Sequence, residues 1–314
     1  MEQPIQITKT GGRFLITPIT DTNIFTREDF TEEQHEIQEM VQGFCTEHIA
    51  PVKEELEKKD KDLTFSLLRK IAELGLLGIA VPEEYGGMEL DKITGAIVAE
   101  ASSYSECSSF VVTWSTNLGI GSLPIVWFGT PEQKEKYLPR LIDGTCIGAY
   151  GLTEPSAGSD ALSAKTTAVL SEDGKHYILN GEKIFITNGG WADVFTVFAK
   201  VDGEKFTAFI VERDTPGFTQ GPEYDKMGMR GSSTTPFAMP SLSLAPPSSI
   251  SNLRQVCPAL SPSSYKSLCG AGQTPLTLSV LASALLLSIT IRSGFESAFS
   301  FLIVIIGLSL LIVP

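Results

Sequence analysis

From position 31 onward, apolar residues recur at three- and four-residue spacing: Ile37, Met40, Val41 and Phe44. That period places one apolar stripe on a helix. Thr31 with Gln34 makes a capping box at its start. Pro51 begins a new turn, since proline cannot continue a helix. Residues 52–59 are charged on most faces and predict pairs between Glu54 and Lys58 and between Glu55 and Lys59. Residues 65–74 carry the stripe Leu67, Leu68, Ile71 and Leu74, and Gly75 and Gly78 suit the helix end and the turn after it. Residues 91–104 and 108–128 predict two more helices, the second strongly apolar. Thr130 and Pro131 open a short helix to residue 142, with proline in the first turn.

After Cys146 the period changes from about 3.6 to about 2. Asp173-Gly174, Asn180-Gly181 and Asp202-Gly203 each lie between β-prone segments, a strong hairpin signal. The chain therefore predicts an α+β fold: a helical domain at residues 31–147, then a small antiparallel, β-barrel-like domain at 148–236. Residues 1–30 are polar with short β-prone pieces such as Phe14-Leu15-Ile16 and predict an extended arm.

Composition changes this picture at Pro236. Residues 237–314 hold only four ionisable residues among Asp, Glu, Lys and Arg: Arg254, Lys266, Arg292 and Glu296. Serine, proline and leucine dominate, followed by apolar runs at 276–291 and 298–313, each at the short limit for a membrane span. Three readings of this tail stand side by side. It is aberrant or out-of-frame sequence, a membrane hairpin, or a folded apolar subdomain. The low charge and the abrupt break favour the first.

The 314 residues fit about two domains, and the net charge of −13 argues against a nucleic-acid partner. Cys45, Cys107, Cys146, Cys257 and Cys269 are odd in number and lack a CxxC spacing. Free thiols in a reducing compartment are expected, with no disulfide framework and no metal site. The N-terminus has no charged region followed by an apolar run, so no secretory signal is read and a cytoplasmic location is expected. A membrane-associated one remains the alternative if the tail is genuine.

The stretch richest in candidate chemistry is Tyr150-Gly151-Leu152-Thr153-Glu154-Pro155-Ser156-Ala157-Gly158-Ser159-Asp160. Thr153 and Ser159 offer hydroxyl donors, Gly151 and Gly158 allow close backbone approach, and Pro155 stiffens the turn between them. This string resembles the first signature of the flavin-dependent acyl-CoA dehydrogenases. Lys183-Ile184-Phe185-Ile186-Thr187-Asn188-Gly189 is similar to that family's flavin-facing strand, which often has Trp where Phe185 stands. Lys226-Met227-Gly228-Met229-Arg230-Gly231-Ser232-Ser233-Thr234 resembles its strand-turn before the domain boundary. Val81-Pro82-Glu83-Glu84-Tyr85-Gly86-Gly87 and Phe128-Gly129-Thr130-Pro131-Glu132-Gln133-Lys134 fit the same family. The likeness covers residues 31–235 and then stops.

The resemblance implies FAD as cofactor and α,β-dehydrogenation of an acyl-CoA thioester to a trans-2-enoyl-CoA, as in fatty-acid β-oxidation. An electron-transfer flavoprotein-type acceptor would take the electrons. Tyr150, Gly151, Leu152, Thr153 and Ser159 would line the flavin, with Phe185, Ile186 and Thr187 over its other part. Ser159 would also lie along the acyl-CoA path. Glu154, Asp160 and Arg230 are read as structural braces. The family's catalytic glutamate comes from a C-terminal four-helix domain, which also makes most oligomer contacts. Nothing after Thr235 resembles that domain, so no catalytic base is assigned, not even Glu296, and a truncated, impaired enzyme is expected with a homo-oligomer in doubt. The alternatives are an acyl-CoA oxidase-type relative and a membrane-tethered acyl-CoA or flavin binding module. The segment Thr10-Gly11-Gly12-Arg13-Phe14-Leu15 resembles the long-chain branch of the family.

Overall fold

The structure is a computed structural model and describes residues 26–244. The expected arm before residue 26 and the tail after 244, with its two apolar runs, lie outside the described residues, as do Cys257 and Cys269.

The helical half follows the apolar stripes. Helix α1 (Glu32–Phe44) starts at Thr31, whose hydroxyl accepts the Gln34 N–H while the Gln34 side chain accepts the Thr31 N–H. Ile37, Val41 and Phe44 are buried on one face. The helix then widens over Cys45–Ile49 and tightens over Ala50–Val52, so Pro51 falls where no regular helix bond is lost. Helix α2 (Lys53–Leu56) is a single turn, too short for the two predicted charge pairs. Lys58 instead reaches Glu55 at 4.0 Å, and Lys59 crosses to Glu223 at 3.1 Å.

Asp60 caps α3 (Lys61–Glu73), accepting the Leu63 N–H at 2.9 Å. It buries Leu67, Leu68 and Ile71, while Leu74, one residue past the last turn, is exposed. Helices α4 (Lys92–Ala101) and α5 (Ser108–Thr116) follow. The apolar run to Phe128 is two helices and not one. It loosens over Asn117–Gly121 and restarts as α6 (Leu123–Phe128), with Pro124 in the first turn. Helix α7 (Pro131–Ile142) carries a second capping box, from Thr130 and Gln133.

The second half is a seven-stranded sheet of β1 (Gly148–Gly151), β2 (Thr167–Leu170), β3 (Tyr177–Thr187), β4 (Val194–Val201), β5 (Lys205–Glu212), β6 (Thr219–Gln220) and β7 (Thr234–Leu244). It is mixed and not purely antiparallel. β1 and β2 both pair parallel to β4, along different stretches of it, and β5 takes β4's other side antiparallel. β1 and β2 thus behave as one strand interrupted by a long excursion. Sequence period shows that strands exist, but direction depends on this detour. β3 pairs β2 and β7, and β6 closes the edge beyond β7.

Asp173-Gly174 and Asp202-Gly203 turn the β2–β3 and β4–β5 hairpins. Asn180-Gly181 does not turn; it lies inside β3, where Asn180 accepts the Ser241 N–H at 2.9 Å. β7 also runs through the compositional break at Pro236, burying Phe237, Met239, Leu242 and Leu244.

One apolar core spans both halves, from Ile37 and Leu68 through Phe110 to Phe195 and Leu242. Phe65 meets Trp191 edge-on at 6.2 Å, and Glu212 on β5 accepts from Lys136 at 2.6 Å and Tyr137 at 2.8 Å on α7. Cys45, Cys107 and Cys146 are buried free thiols.

Candidate functional site

The excursion between β1 and β2 holds the string singled out in the sequence. Its base is closed by Glu154, 5 % exposed. The Glu154 carboxylate accepts the Lys165 N–H at 2.6 Å, the Thr166 N–H at 3.0 Å and the Thr166 hydroxyl. It also meets the Lys183 ammonium at 2.7 Å, and that side chain is fully buried. Lys183 further donates to the Leu152 carbonyl at 3.2 Å. Burial by itself would raise the Glu154 carboxyl, but hydrogen bonds from Lys183, Thr166 and the Lys165 N–H outweigh it and hold the group at about 2. Burial also lowers the Lys183 ammonium, and Glu154 opposes that shift.

Above this neck the chain doubles back. Glu154 and Ala157 exchange main-chain hydrogen bonds at 2.9 and 3.1 Å, with Pro155 and Ser156 at the exposed tip. Thr153 is tied sideways: its carbonyl accepts the Ile184 N–H of β3 at 2.9 Å. The excursion is therefore stitched to β3 just where β3 is irregular. Lys183 pairs with Phe237 and Ile186 with Thr235, so β3 carries one extra residue there. Phe185 takes it up in the left-handed region, at φ 58°, and turns its ring outward to 60 % exposure. A β-bulge re-aims a side chain in this way, and a non-glycine residue at positive φ marks strain held by its surroundings. The ring rests on Tyr224 at 5.1 Å.

The sequence-predicted residues divide by placement. Leu152 and Thr153 are half-buried, Thr153 bonded to Ile184, the residue before Phe185, and Leu152 packed on the apolar cluster that includes Val194 and Phe198; Thr187 is half-buried at the end of the same strand. Tyr150 is half-buried against Phe198 at 5.0 Å. Gly151 and Ile186 are buried, Ile186 at 2 % exposure, so they reach this surface only through main chain. Ser159 lies on the exposed far limb of the excursion. The hydroxyls of Thr153, Ser159 and Thr187 make no hydrogen bond to other described residues. Of the three expected braces only Glu154 is buried. Asp160 and Arg230 are exposed, and Arg230 pairs with Asp225 at 2.8 Å.

Two features were missed by sequence reading. Lys183 is a lysine inside a β-prone run, and period alone marks its position but not its partner. Asn188, at φ 63°, donates to the Thr113 carbonyl at 3.1 Å and the Gly148 carbonyl at 3.3 Å, while Asn117 accepts the Gly148 N–H at 2.8 Å. These two amides lock α5 and β1 to the end of β3.

Comparison with known proteins supports one assignment. The family models "Acyl-CoA dehydrogenase, N-terminal domain" and "Acyl-CoA dehydrogenase, middle domain" match residues 31–145 and 149–241. An acyl-CoA dehydrogenase of Bacillus subtilis (strain 168) is 44 % identical over 209 residues, 65 % of this chain and 54 % of its own. The crystal structure of an acyl-CoA dehydrogenase complexed with FAD from Bacillus anthracis is 48 % identical, with a TM-score of 0.72 over 76 % of this chain and 41 % of that one. Butyryl-CoA dehydrogenase from Megasphaera elsdenii is 38 % identical, with a TM-score of 0.64 over 72 % of this chain and 59 % of that one. The chain spans about half the length, or less, of the curated relatives it matches. Through its helical and sheet domains, the chain belongs to the acyl-CoA dehydrogenase family.

Proposed function

We propose that residues 150–187 form one wall of an FAD site in an enzyme that dehydrogenates acyl-CoA thioesters. The observation that carries this reading is the stitching of Thr153 to β3 beside the outward Phe185, with the hydroxyls of Thr153 and Thr187 left without a partner among the described residues. An isoalloxazine ring needs an apolar face beside it and donors at its edge, and these residues fit both needs. FAD supplies the hydride acceptor for α,β-dehydrogenation to a trans-2-enoyl-CoA.

The residues themselves bind and orient. Leu152 and Thr153 face the ring, the main chain of Gly151 and Ile186 sets its depth, and Tyr150, Phe185 and Thr187 border it. Ser159 lies where the thioester passes. Glu154 and Lys183 hold the excursion's neck in register. None of these groups takes the substrate α proton in this reading, no residue of the chain is assigned as that base, and turnover by these two domains alone is weak. A cytoplasmic role in fatty-acid β-oxidation, with an electron-transfer flavoprotein-type acceptor, completes the proposal. A structural neighbour described as an electron transferring flavoprotein of Acidaminococcus fermentans, 41 % identical with a TM-score of 0.62, supports that acceptor.

Titrating the purified chain with FAD and following flavin fluorescence tests the site. Saturable binding is expected. Removing both hydroxyls in a Thr153→Ala, Thr187→Ala variant, at ~1 kcal/mol each, weakens it roughly thirtyfold with the melting temperature unchanged. Binding that ignores both hydroxyls sinks the assignment.

A further inference from the structure

A second site adjoins this wall across Tyr224, on which Phe185 rests, where the end of α2 meets the segment before β7. It is a cavity of about 440 Å³ bordered by Glu57, Lys58, Lys59, Glu223, Tyr224, Asp225, Lys226 and Arg230. Its carboxylates are already engaged. Glu223 accepts from Lys59 at 3.1 Å, from the Thr234 N–H at 2.9 Å and from Ser233. Asp225 pairs with Arg230, and Glu57 accepts the Gly231 N–H at 3.1 Å. Lys226 differs from its neighbours. Its half-buried ammonium rests on two neutral acceptors, the Ser232 carbonyl and the Thr234 hydroxyl, both at 2.8 Å. No carboxylate bonds it among the described residues. Burial, with Lys59 adding to it and Glu223 and Glu57 opposing, brings the amine down to about 8.

We propose that Lys226 is a modification site, acylated on Nζ by an acyl thioester carried on a polyanionic group such as CoA. A neutral amine is the nucleophile, and a lysine freed of its proton near neutral pH has that form available. Lys59 and Arg230 at the rim are held by Glu223 and Asp225, so Lys58, exposed and 4.0 Å from Glu55, is the cation that meets the carrier's phosphates. The Nζ lone pair forms the N–C bond to the thioester carbonyl carbon. The C–S bond breaks, CoA leaves as thiolate, and the proton lost by Lys226 ends on that thiolate or on water. No oxidant or reductant is needed.

The product amide keeps a single N–H, so it cannot hold both Ser232 and Thr234. Thr234 pairs with Thr187 across β3 and β7, so acylation loosens the border of the proposed cofactor wall. That consequence rests on the proposed function; the modification itself does not.

The test incubates the full chain with acetyl-CoA between pH 7 and 9 and measures site occupancy by peptide mass spectrometry after cleavage at acidic residues. Lys226 is expected to acetylate roughly tenfold faster at pH 7.5 than the exposed Lys70 and Lys205. Its rate is expected to level off above about pH 8, whereas exposed lysines go on accelerating. Lys226 reacting no faster than those two overturns the proposal. Lys58 is exposed, so Lys58→Gln leaves the fold intact. It should slow acetylation by acetyl-CoA roughly threefold and leave the rate with uncharged S-acetyl-N-acetylcysteamine unchanged. An equal effect on both donors, or none on either, removes the role assigned to the cationic rim.

Discussion

At the scale of single residues, the site depends on one buried ion pair. Removing a partner from such a pair leaves an uncompensated charge in a low dielectric. Glu154→Gln keeps an acceptor but strands the Lys183 ammonium, and it should cost about 3 kcal/mol by urea denaturation at pH 7. The pH dependence follows from the sign of the shift. The folded Glu154 carboxyl sits at about 2, against about 4.3 in an unfolded chain. Its contribution is therefore complete above about pH 4.3 and is lost as pH falls through about 2. The gap between the native chain and Glu154→Gln should narrow steadily from pH 5 to pH 2.5; a gap that stays constant would show that the charge is not the cause. Glu154 was recognisable in the sequence as a brace because it sits in a specific motif. Its partner was not, because Lys183 is 29 residues away and only the return of β3 brings the two together.

At the scale of elements, local signals served best where the chain closes on itself. Thr31 with Gln34 and Thr130 with Gln133 cap helices because a capping box needs only four residues. Asp173-Gly174 and Asp202-Gly203 turn hairpins for the same reason. Asn180-Gly181 carries an equal local signal and is overruled. β3 continues through it to reach β7, and the glycine is required by Thr166 crossing close by. A Cβ at Gly181 would lie 2.3 Å from the Thr166 hydroxyl oxygen. Gly181→Ala should therefore cost about 2–3 kcal/mol by thermal melting, more than a turn glycine facing solvent would. It should also disturb Glu154, which accepts from that same Thr166 hydroxyl.

At the scale of the whole molecule, the two halves meet through close main-chain contacts as well as apolar ones. Gly231 donates to Glu57 and to Ser109, both at 3.1 Å, and a Cβ there would lie 2.0 Å from the Leu56 carbonyl oxygen. Gly231→Ala forces the segment before β7 away from α2. The expected result is a loss of about 3 kcal/mol and faster limited proteolysis between residues 221 and 234, with the helix caps intact by circular dichroism. Unchanged proteolysis would mean that the junction yields without cost. Among the described residues no helix is long and apolar enough to cross a membrane. The apolar runs behind the membrane reading lie outside those residues.

By itself the sequence determined the order of a helical half and a strand half, the starts of α1, α4, α5 and α7, two of three hairpins and the identity of the family. Each of these depends on periodicity or on a short motif, and both are properties of neighbouring residues. Only the tertiary structure decided that the sheet is mixed, that β1 and β2 are one strand split by an excursion, and that Phe185 points outward while Ile186 points in. It alone joined Lys183 to Glu154 and left the Lys226 ammonium on two neutral acceptors, Ser232 and Thr234. These outcomes turn on strand direction, register and burial, which are fixed by contacts between residues far apart in the chain.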